Sequence, residues 1–558
     1  MNKGYKKYRP FEKIALSARQ WPDAVLKQAP VWCSVDLRDG NQALVTPMNP
    51  DEKLVFFKTL VNIGFKEIEV GFPSANQTEY DILRTLIDEN HIPNDVTVQV
   101  LVQAREHLIR KTFDAVKGAK RIIFHFYNST SALQRKVVFG KDMQGVIDLA
   151  SESAHLIKKL AAETDCEIVY EYSPESFSGT EIGNALMICE RVMEILEPTP
   201  KNPIILNLPN TVENATPNCY ADQIEYFIKN LKNRKSAIIS VHPHNDRGTG
   251  IAATELALLA GADRVEGTLF GNGERTGNVD IIALALNMFT QGIDPCLDFS
   301  QLNTIKSIYE KCTKMRIHER HPYAGELVFT AFSGSHQDAV SKGTEYAKKH
   351  QTEYWEIPYL PIDPSDVGRE YEPIIRINNQ SGKGGAAYIM QNFGYELPKH
   401  MHPEFGRLVK AYCDKKGDEI SPDEVMNLFR QEYLEVESPF KLINHEVSDK
   451  AGGESRFSGV LEDNGFEASI SGNGNGPIDA FFTALKNVGI ENYEFISYNE
   501  HAVSSGADSM AAAYIELKTP DNKRIFGVGI DYNITIASIK GVLCAINRNL
   551  AKRIHNEQ

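Results

Sequence analysis

The stretch AIISVHPHNDRGTGIAATELALLAGADRVEGTLFG, residues 237–271, decides the fold. It opens on a short, apolar, β-branched run, AIISVHPH (237–244), turns through glycines into the helical pattern GIAATELALLAGA, and closes on a second short run, RVEGTLFG (264–271). Strand, helix and strand of these lengths make a βαβ unit, whose crossover sets the two strands parallel. Working outward, the same rhythm covers residue 31 to about 290. The earlier strands are VWCSVDLR (31–38), EIEVGF (67–72), VTVQVLV (96–102), RIIFHFYN (121–128), EIVYEYS (167–173) and IILNLPN (204–210), each followed by a helical segment such as DEKLVFFKTLVNIG. Eight βα pairs of this size predict a closed (β/α)8 TIM barrel of the α/β class rather than an open doubly wound sheet, and no G-x-G-x-x-G opens the first pair.

A barrel builds its chemistry at the C-terminal ends of its strands and on the loops that follow. The polar residues of this chain gather there. Arg38 and Asp39 end strand one, His125 lies late in strand four and Glu175 follows strand five. Thr211 follows strand six, His242 and His244 close strand seven, and GNGERTGN (271–278) follows strand eight.

Composition narrows the class of ligand. The 558 residues carry 60 Lys and Arg against 74 Asp and Glu, a net charge of −14, with 42% hydrophobic residues. That is the balance of an ordinary globular protein. The acidic excess, with no basic block able to track phosphates, argues against nucleic acid and anionic membranes and for a small-molecule ligand. The start MNKGYKKYRPFEKI is basic but has no apolar run behind it, and no later run is long enough to span a bilayer, so a cytoplasmic protein is expected. Eight scattered cysteines without a C-x-x-C pair signal neither a thiolate zinc site nor disulfides.

The rhythm changes past the barrel. We expect an N-terminal arm (1–30), the barrel (31–325), linker subdomains with helices such as HPEFGRLVKAYCDKKG and SPDEVMNLFRQEY (326–434), and a C-terminal α+β domain (435–558). In the last, ASISGNGNGPIDAFFTALKNV and FGVGIDYNITIASIKGVLCAI align as a weak repeat, which predicts two βββα units.

His242 and His244 are the sharpest local signal, because residues i and i+2 of a strand share a face and two imidazoles there converge. An H-x-H also reads as two polar residues at a strand end. Asp39 shifts the balance, since strands one and seven both lie near the ring closure, and an Asp with two His leaves coordination positions open. Such an all-N/O set suits one divalent metal ion, Mg²⁺, Mn²⁺ or Zn²⁺. GNGERTGN reads equally as a phosphate-wrapping loop and as a tight βα turn. Arg38 reads as a structural ion pair or as an oxyanion stabiliser, and its place at a strand end favours the second. His125 and Glu175 are a polar pair or acid/base candidates.

The motifs LRDGNQ (37–42), IGFKEIEVGFPSANQTEYD (63–81), YEYSPESFSGTE (170–181), LPNTVE (208–213), HPHNDRGTG (242–250) and EGTLFGNGERTGNVD (266–280) are long and ordered. Through them the chain resembles the acyl-CoA Claisen-condensing metallo-barrel enzymes. FSGSHQDAV (332–340), DPSDVGREYE (363–372) and QSGKGG (380–385) extend the resemblance, over nearly the whole chain, to the long-form 2-isopropylmalate synthases among them. The resemblance implies that Asp39, His242, His244 and Asn278 hold the metal, and that Arg38 and Thr211 hold a 2-oxo acid in a pocket shared with His125, Ser173 and Glu175. It implies that Leu101, Tyr127, Asn207 and Pro209 line the side-chain pocket, and that Gly271, Gly273, Glu274 and Arg275 form the acetyl-CoA loop. His336 and Tyr371 are implied to reach the active site of the partner subunit in a homodimer, and the C-terminal domain to sense leucine. There Gly474, Gly476 and the neighbouring turns would hold the effector's carboxylate, while Asp479 or Asp531 meets its ammonium.

The implied activity is condensation of acetyl-CoA, the co-substrate, with 2-oxoisovalerate, followed by thioester hydrolysis to 2-isopropylmalate and CoA. Arg38 would act beside Glu175 or the His336/Tyr371 pair as the catalytic groups, and the residues do not choose the base. The resemblance also allows a monovalent cation as activator. Homocitrate or citramalate synthase would share the metal and Arg38 but need a different side-chain pocket. An amino-acid sensor with a dead barrel fits poorly with an intact residue set, and a biotin-dependent carboxytransferase lacks its biotin-attachment motif.

Overall fold

Eight strands pair in chain order, all parallel: β1 (Val31–Ser34), β2 (Glu67–Gly71), β3 (Thr97–Gln103), β4 (Arg121–Ser129), β5 (Glu167–Glu175), β6 (Ile204–Asn210), β7 (Ala237–Pro243) and β8 (Arg264–Gly267). β8 returns to β1, with Cys33 opposite Glu266 and Ser34 opposite Gly267, and closes the barrel. These contacts come from a computed structural model, which describes residues 7, 11–12, 14–331, 334–371, 383–416, 420–449, 453–503 and 509–556. Of the motifs above, residues 332–333 and 372–382 lie outside the described residues.

The helix Pro50–Ile63 after β1 shows how local sequence sets an element. Pro50 occupies the first turn, and Asn49 and Glu52 form a reciprocal capping box that satisfies two amides the helix itself cannot. Gly64 ends it at φ 115°, a left-handed conformation that favours glycine.

Strand periodicity sorts the barrel interior into layers. Ile123, Val169, Ile205 and Ile238 form a small apolar cluster toward the N-terminal ends. Two residues further along their strands stand His125, Glu171, Asn207 and Ser240, on the same face. Polar side chains therefore fill the upper barrel, where a parallel barrel ordinarily packs branched aliphatics.

Two strands are shorter than their sequence patterns suggest. β1 stops at Ser34, and Asp36–Gly40 forms a wide helical turn in which Arg38, Asp39 and Gly40 all donate backbone N–H to Val35 O. Asp36 stabilises that departure by accepting from Leu269 N at 3.1 Å and from Ser34 Oγ at 2.8 Å. β8 stops at Gly267 because the loop folds straight back. A Cβ at that position would lie 2.8 Å from Val279 O and 2.9 Å from Ile281 Cγ1.

The chain divides into two compact units, Met1–Phe329 with Pro361–Glu370, and Thr330–Leu360 with Tyr371–Gln558. The second contains the helices Gly334–His350, Lys383–Asn392, His402–Lys416 and Pro422–Phe429, the last capped by Ser421 with Glu424. It also contains two antiparallel three-stranded sheets. β9 (Phe440–Asp449), β10 (Ser455–Asp463) and β11 (Phe466–Gly474) lead into the helix Pro477–Lys486. β12 (Glu494–Ala502), β13 (Ala511–Lys518) and β14 (Arg524–Asp531) lead into the helix Ile534–Asn556. Both βββα units expected from the repeat are thus present. Their helices share an apolar core in which Phe457, Phe481, Ile515 and Ile546 are buried. Among the described residues no helix is long and apolar enough to cross a membrane.

Candidate active site

The turn after β1 and the end of β7 bring Asp39, His242 and His244 together, with one ligand atom from each within 4.8 Å of the others. Asp39 Oδ2 lies 3.8 Å from His242 Nε2 and 4.0 Å from His244 Nε2, and all three side chains are buried. Asn278, beyond β8, donates from Nδ2 to Asp39 Oδ2 at 2.8 Å, while its own Oδ1 is buried with no partner among the described residues.

Electrostatics leaves the cluster ready for a cation. Burial would raise the Asp39 carboxyl, but Arg38, His242 and His244 hold it down to about 2. Burial and the neighbouring His242 push His244 down to about 4, so it stays neutral. Burial also works against a charge on His242, but Glu266 and Asp39 outweigh it and raise the pKa. One anionic oxygen, two imidazole nitrogens and the orphaned Asn278 oxygen form a donor set that fits one divalent ion.

Arg38 is held as a fork. Its Nε donates to Glu69 Oε1, and its Nη1 donates to Asp39 Oδ1 at 2.5 Å. Neither contact uses Nη2. The guanidinium opens onto a cavity of about 370 Å³ that also reaches the metal cluster. All nine residues expected to line the acceptor pocket line this cavity: Arg38, Leu101, His125, Tyr127, Ser173, Glu175, Asn207, Pro209 and Thr211. His125 Nε2 shares a hydrogen bond with Ser173 Oγ at 2.7 Å, and Asn207 Nδ2 donates to the same oxygen at 3.1 Å. Glu175, expected just past strand five, is its last residue. Its carboxylate accepts from Ser129 Oγ and, at 3.0 Å, from Ser176 Oγ, and burial raises its pKa.

The loop after β8 is a tight turn whose tip faces the cavity. A Cβ on Gly277 would fall onto Gly271 O, whereas Glu274 and Arg275 line the cavity. Arg275 donates to Asp246 Oδ1 at 2.6 Å and to Thr211 O, which ties this loop to those after β6 and β7.

A second group of residues escaped the reading of the strand ends. Glu69, Gln99, Glu171, Arg264 and Glu266 form a fully buried polar layer directly below the site. Gln99 Nε2 bridges Glu69 Oε2 and Glu266 Oε1, each at 2.8 Å, and Arg264 Nη1 donates to Glu266 Oε1 at 2.9 Å. Their signal was available, since EIEV, TVQV, VYEY and RVEG each put a polar side chain at the centre of an otherwise apolar strand.

His336 and Tyr371 belong to the second unit. His336 is exposed and stacks on Tyr359 with ring centroids 4.1 Å apart. The Tyr371 hydroxyl is buried without a partner among the described residues. In the C-terminal domain, Gly474 lets the helix Pro477–Lys486 approach its strand, since a Cβ there would lie 2.6 Å from the Asp479 carbonyl carbon, whereas Gly476 faces open space. Asp479 accepts from Asn475 N at 2.9 Å and borders a cavity of about 570 Å³ that Lys486, Phe482, Phe495 and Tyr498 also line. Asp531 is instead paired with Lys540 at 2.8 Å.

The fold and this mouth define a barrel enzyme with a candidate metal site, and residues 29–308 match the HMGL-like family. Residues 326–391 match the family described as alpha-isopropylmalate synthase, post-catalytic domain-like, and residues 419–550 the LeuA allosteric (dimerisation) domain. A 2-isopropylmalate synthase of Clostridium acetobutylicum is 56% identical over 557 residues, covering 98% of this chain and 100% of that one. One of Rhodospirillum rubrum is 52% identical, covering 97% and 98%, and one of Pseudomonas entomophila 51%, covering 98% of each. The chain belongs to the 2-isopropylmalate synthase family and is an acyltransferase.

Proposed function

We propose that the enzyme condenses acetyl-CoA with 2-oxoisovalerate and hydrolyses the product thioester to 2-isopropylmalate and CoA. One observation carries the reading: the Asp39, His242 and His244 cluster and the Arg38 fork share a cavity with Leu101, Tyr127 and Pro209, a wall suited to an uncharged branched chain. Asp39, His242 and His244, with Asn278 beside them, would hold a divalent cation, Mg²⁺, Mn²⁺ or Zn²⁺. When bound, that ion supplies Lewis acidity at the keto and carboxylate oxygens of the 2-oxo acid.

The chain's own residues do the rest. Arg38 places positive charge beside the oxygen that becomes an alkoxide. Thr211 and Ser173 orient the acceptor. Glu175, with its pKa raised by burial, removes a proton from the acetyl methyl group, whose carbon then bonds to C2 of the acceptor as the keto π bond opens onto its oxygen, and that oxygen takes the proton back to become the hydroxyl. Water cleaves the thioester: its oxygen bonds to the acyl carbon, the C–S bond breaks, and sulfur leaves as CoA thiol. His336 and Tyr371 complete the site from the partner subunit of a homodimer, a reading supported by the unpartnered Tyr371 hydroxyl and the match to a dimerisation domain. Eight free cysteines suit a reducing cytoplasm.

We also propose that leucine inhibits by binding beside Asp479 rather than Asp531, which Lys540 already occupies. Its ammonium would meet Asp479, its carboxylate Lys486, and its side chain Phe482 and Phe495.

The test is release of CoA thiol with 2-oxoisovalerate, 2-oxobutyrate, pyruvate and 2-oxoglutarate as acceptors. The highest kcat/KM belongs to 2-oxoisovalerate, with reduced activity on 2-oxobutyrate, because a missing methyl is worth about 1–3 kcal/mol. A higher value for pyruvate or 2-oxoglutarate would assign a different synthase, and no thiol release with any acceptor would leave a sensor. Leucine inhibition competitive with 2-oxoisovalerate would refute a separate regulatory site.

A further inference from the structure

Within the buried polar layer below the site, Glu266 is the one residue hydrogen-bonded to a member of the metal cluster. Its Oε2 lies 2.8 Å from His242 Nδ1 and accepts from Asn207 Nδ2 at 3.1 Å. Its Oε1 accepts from Gln99 and Arg264, so both carboxylate oxygens are pinned from two sides. A carboxylate only accepts, so Nδ1 carries the imidazole proton and Nε2 keeps its lone pair, 3.8 Å from Asp39 Oδ2. His244 has no such support among the described residues, for its Nδ1 is buried with no partner there.

We propose that Glu266 is a positioning residue for the metal centre, fixing the tautomer and ring plane of His242 so that Nε2 is presented to the cation. The two histidines then have different parts: His242 is the preset ligand and His244 the adaptable one. Asn207, which lines the acceptor cavity and donates to Glu266, joins the same scaffold to the substrate pocket. The assignment rests on the reading that Asp39, His242 and His244 hold a divalent ion.

The test is Mn²⁺ binding to the full-length apoprotein, read from the EPR signal of free Mn²⁺, with no substrate present. Glu266→Gln should raise the Mn²⁺ Kd by about 10–100-fold, the usual cost of losing a partner behind a ligand. In a His242→Ala background the same substitution should change the Kd by less than about twofold, since the carboxylate acts through that ring. Glu171→Gln, equally buried in the same layer but not bonded to His242, should also stay within about twofold of the wild type. An equal loss in the His242→Ala background would show a charge effect and overturn the assignment, as would an equal loss in Glu171→Gln. If Glu266→Gln does not fold, Glu266→Asp keeps the charge and withdraws the carboxylate by one methylene. A wild-type Kd in that variant overturns the assignment, and a loss of at least about tenfold supports it. A wild-type protein that binds no Mn²⁺ would overturn the metal centre itself, whereas wild-type binding with an unaffected Glu266→Gln overturns this assignment alone.

Discussion

Replacing Arg38 with lysine keeps the positive charge and removes the fork. Arg38 reaches Glu69 through Nε and Asp39 through Nη1, leaving Nη2 for the substrate oxygen. A lysine ammonium is a single point at the end of a flexible stem. It can pair with one of the two carboxylates but cannot bridge both and still face the cavity. At least one hydrogen bond between charged groups is lost at the site where negative charge develops, worth about 1.5–3 kcal/mol. That converts to a fall in kcat/KM of roughly tenfold to two-hundredfold. Stability should fall less, because Glu69 Oε2 still has Gln99 Nε2 and His125 Nδ1 as partners. The assay is CoA release at saturating metal with 2-oxoisovalerate varied, beside thermal unfolding and Mn²⁺ titration of the same preparation. Mn²⁺ affinity should change less than kcat/KM, since a cation remains beside Asp39. An Arg38→Lys enzyme within about twofold of wild-type kcat/KM would refute the fork as a source of transition-state stabilisation.

Further expectations follow from the same geometry. His242→Ala or His244→Ala should weaken metal binding and lower turnover together while the chain stays folded, and full metal content with normal turnover in either would make the H-x-H structural. Acidification should weaken metal binding first at His242: its pKa is raised, so the proton that competes with the cation is bound as pH falls through that value and absent above it. His244 adds competition only near pH 4, and Asp39 near pH 2. Calorimetry in buffers of different ionisation enthalpy should therefore find up to one proton released per Mn²⁺ at mildly acidic pH and none well above neutrality. Proton uptake would contradict the assignment. Mixing inactive His336→Ala and Arg38→Ala subunits should restore part of the activity if each site is shared between chains, and no recovery despite proven subunit exchange would exclude sharing. Gly267→Ala should destabilise the barrel by about 1–3 kcal/mol in chemical denaturation, because its methyl would meet Val279 and Ile281.

What the sequence by itself determined is everything that depends on near neighbours along the chain. Eight apolar runs alternating with helical periods specify a parallel barrel, because each βαβ unit has one favoured hand and the repeat has to close. His242 and His244 announce a shared face through their i, i+2 spacing, and the caps at Asn49 and Ser421 mark helix starts with a reciprocal side-chain pattern. Tertiary structure decided what depends on strands distant in sequence. Arg264 reaches Gln99 and Glu266 reaches Asn207 across the barrel interior, contacts that no local spacing encodes. It also decided where β1 ends, because Asp36 turns the chain by accepting from Leu269, 233 positions away. In the C-terminal domain, Lys540, nine residues further on in the helix that follows, took Asp531 out of the pair of candidates that the repeat presented as equivalent. The physical reason is the same throughout. Periodicity states which face a side chain is on, but only closure of the sheet and the docking of helices on it determine which other charges share that face, and in a buried site those partners set each group's proton and orientation.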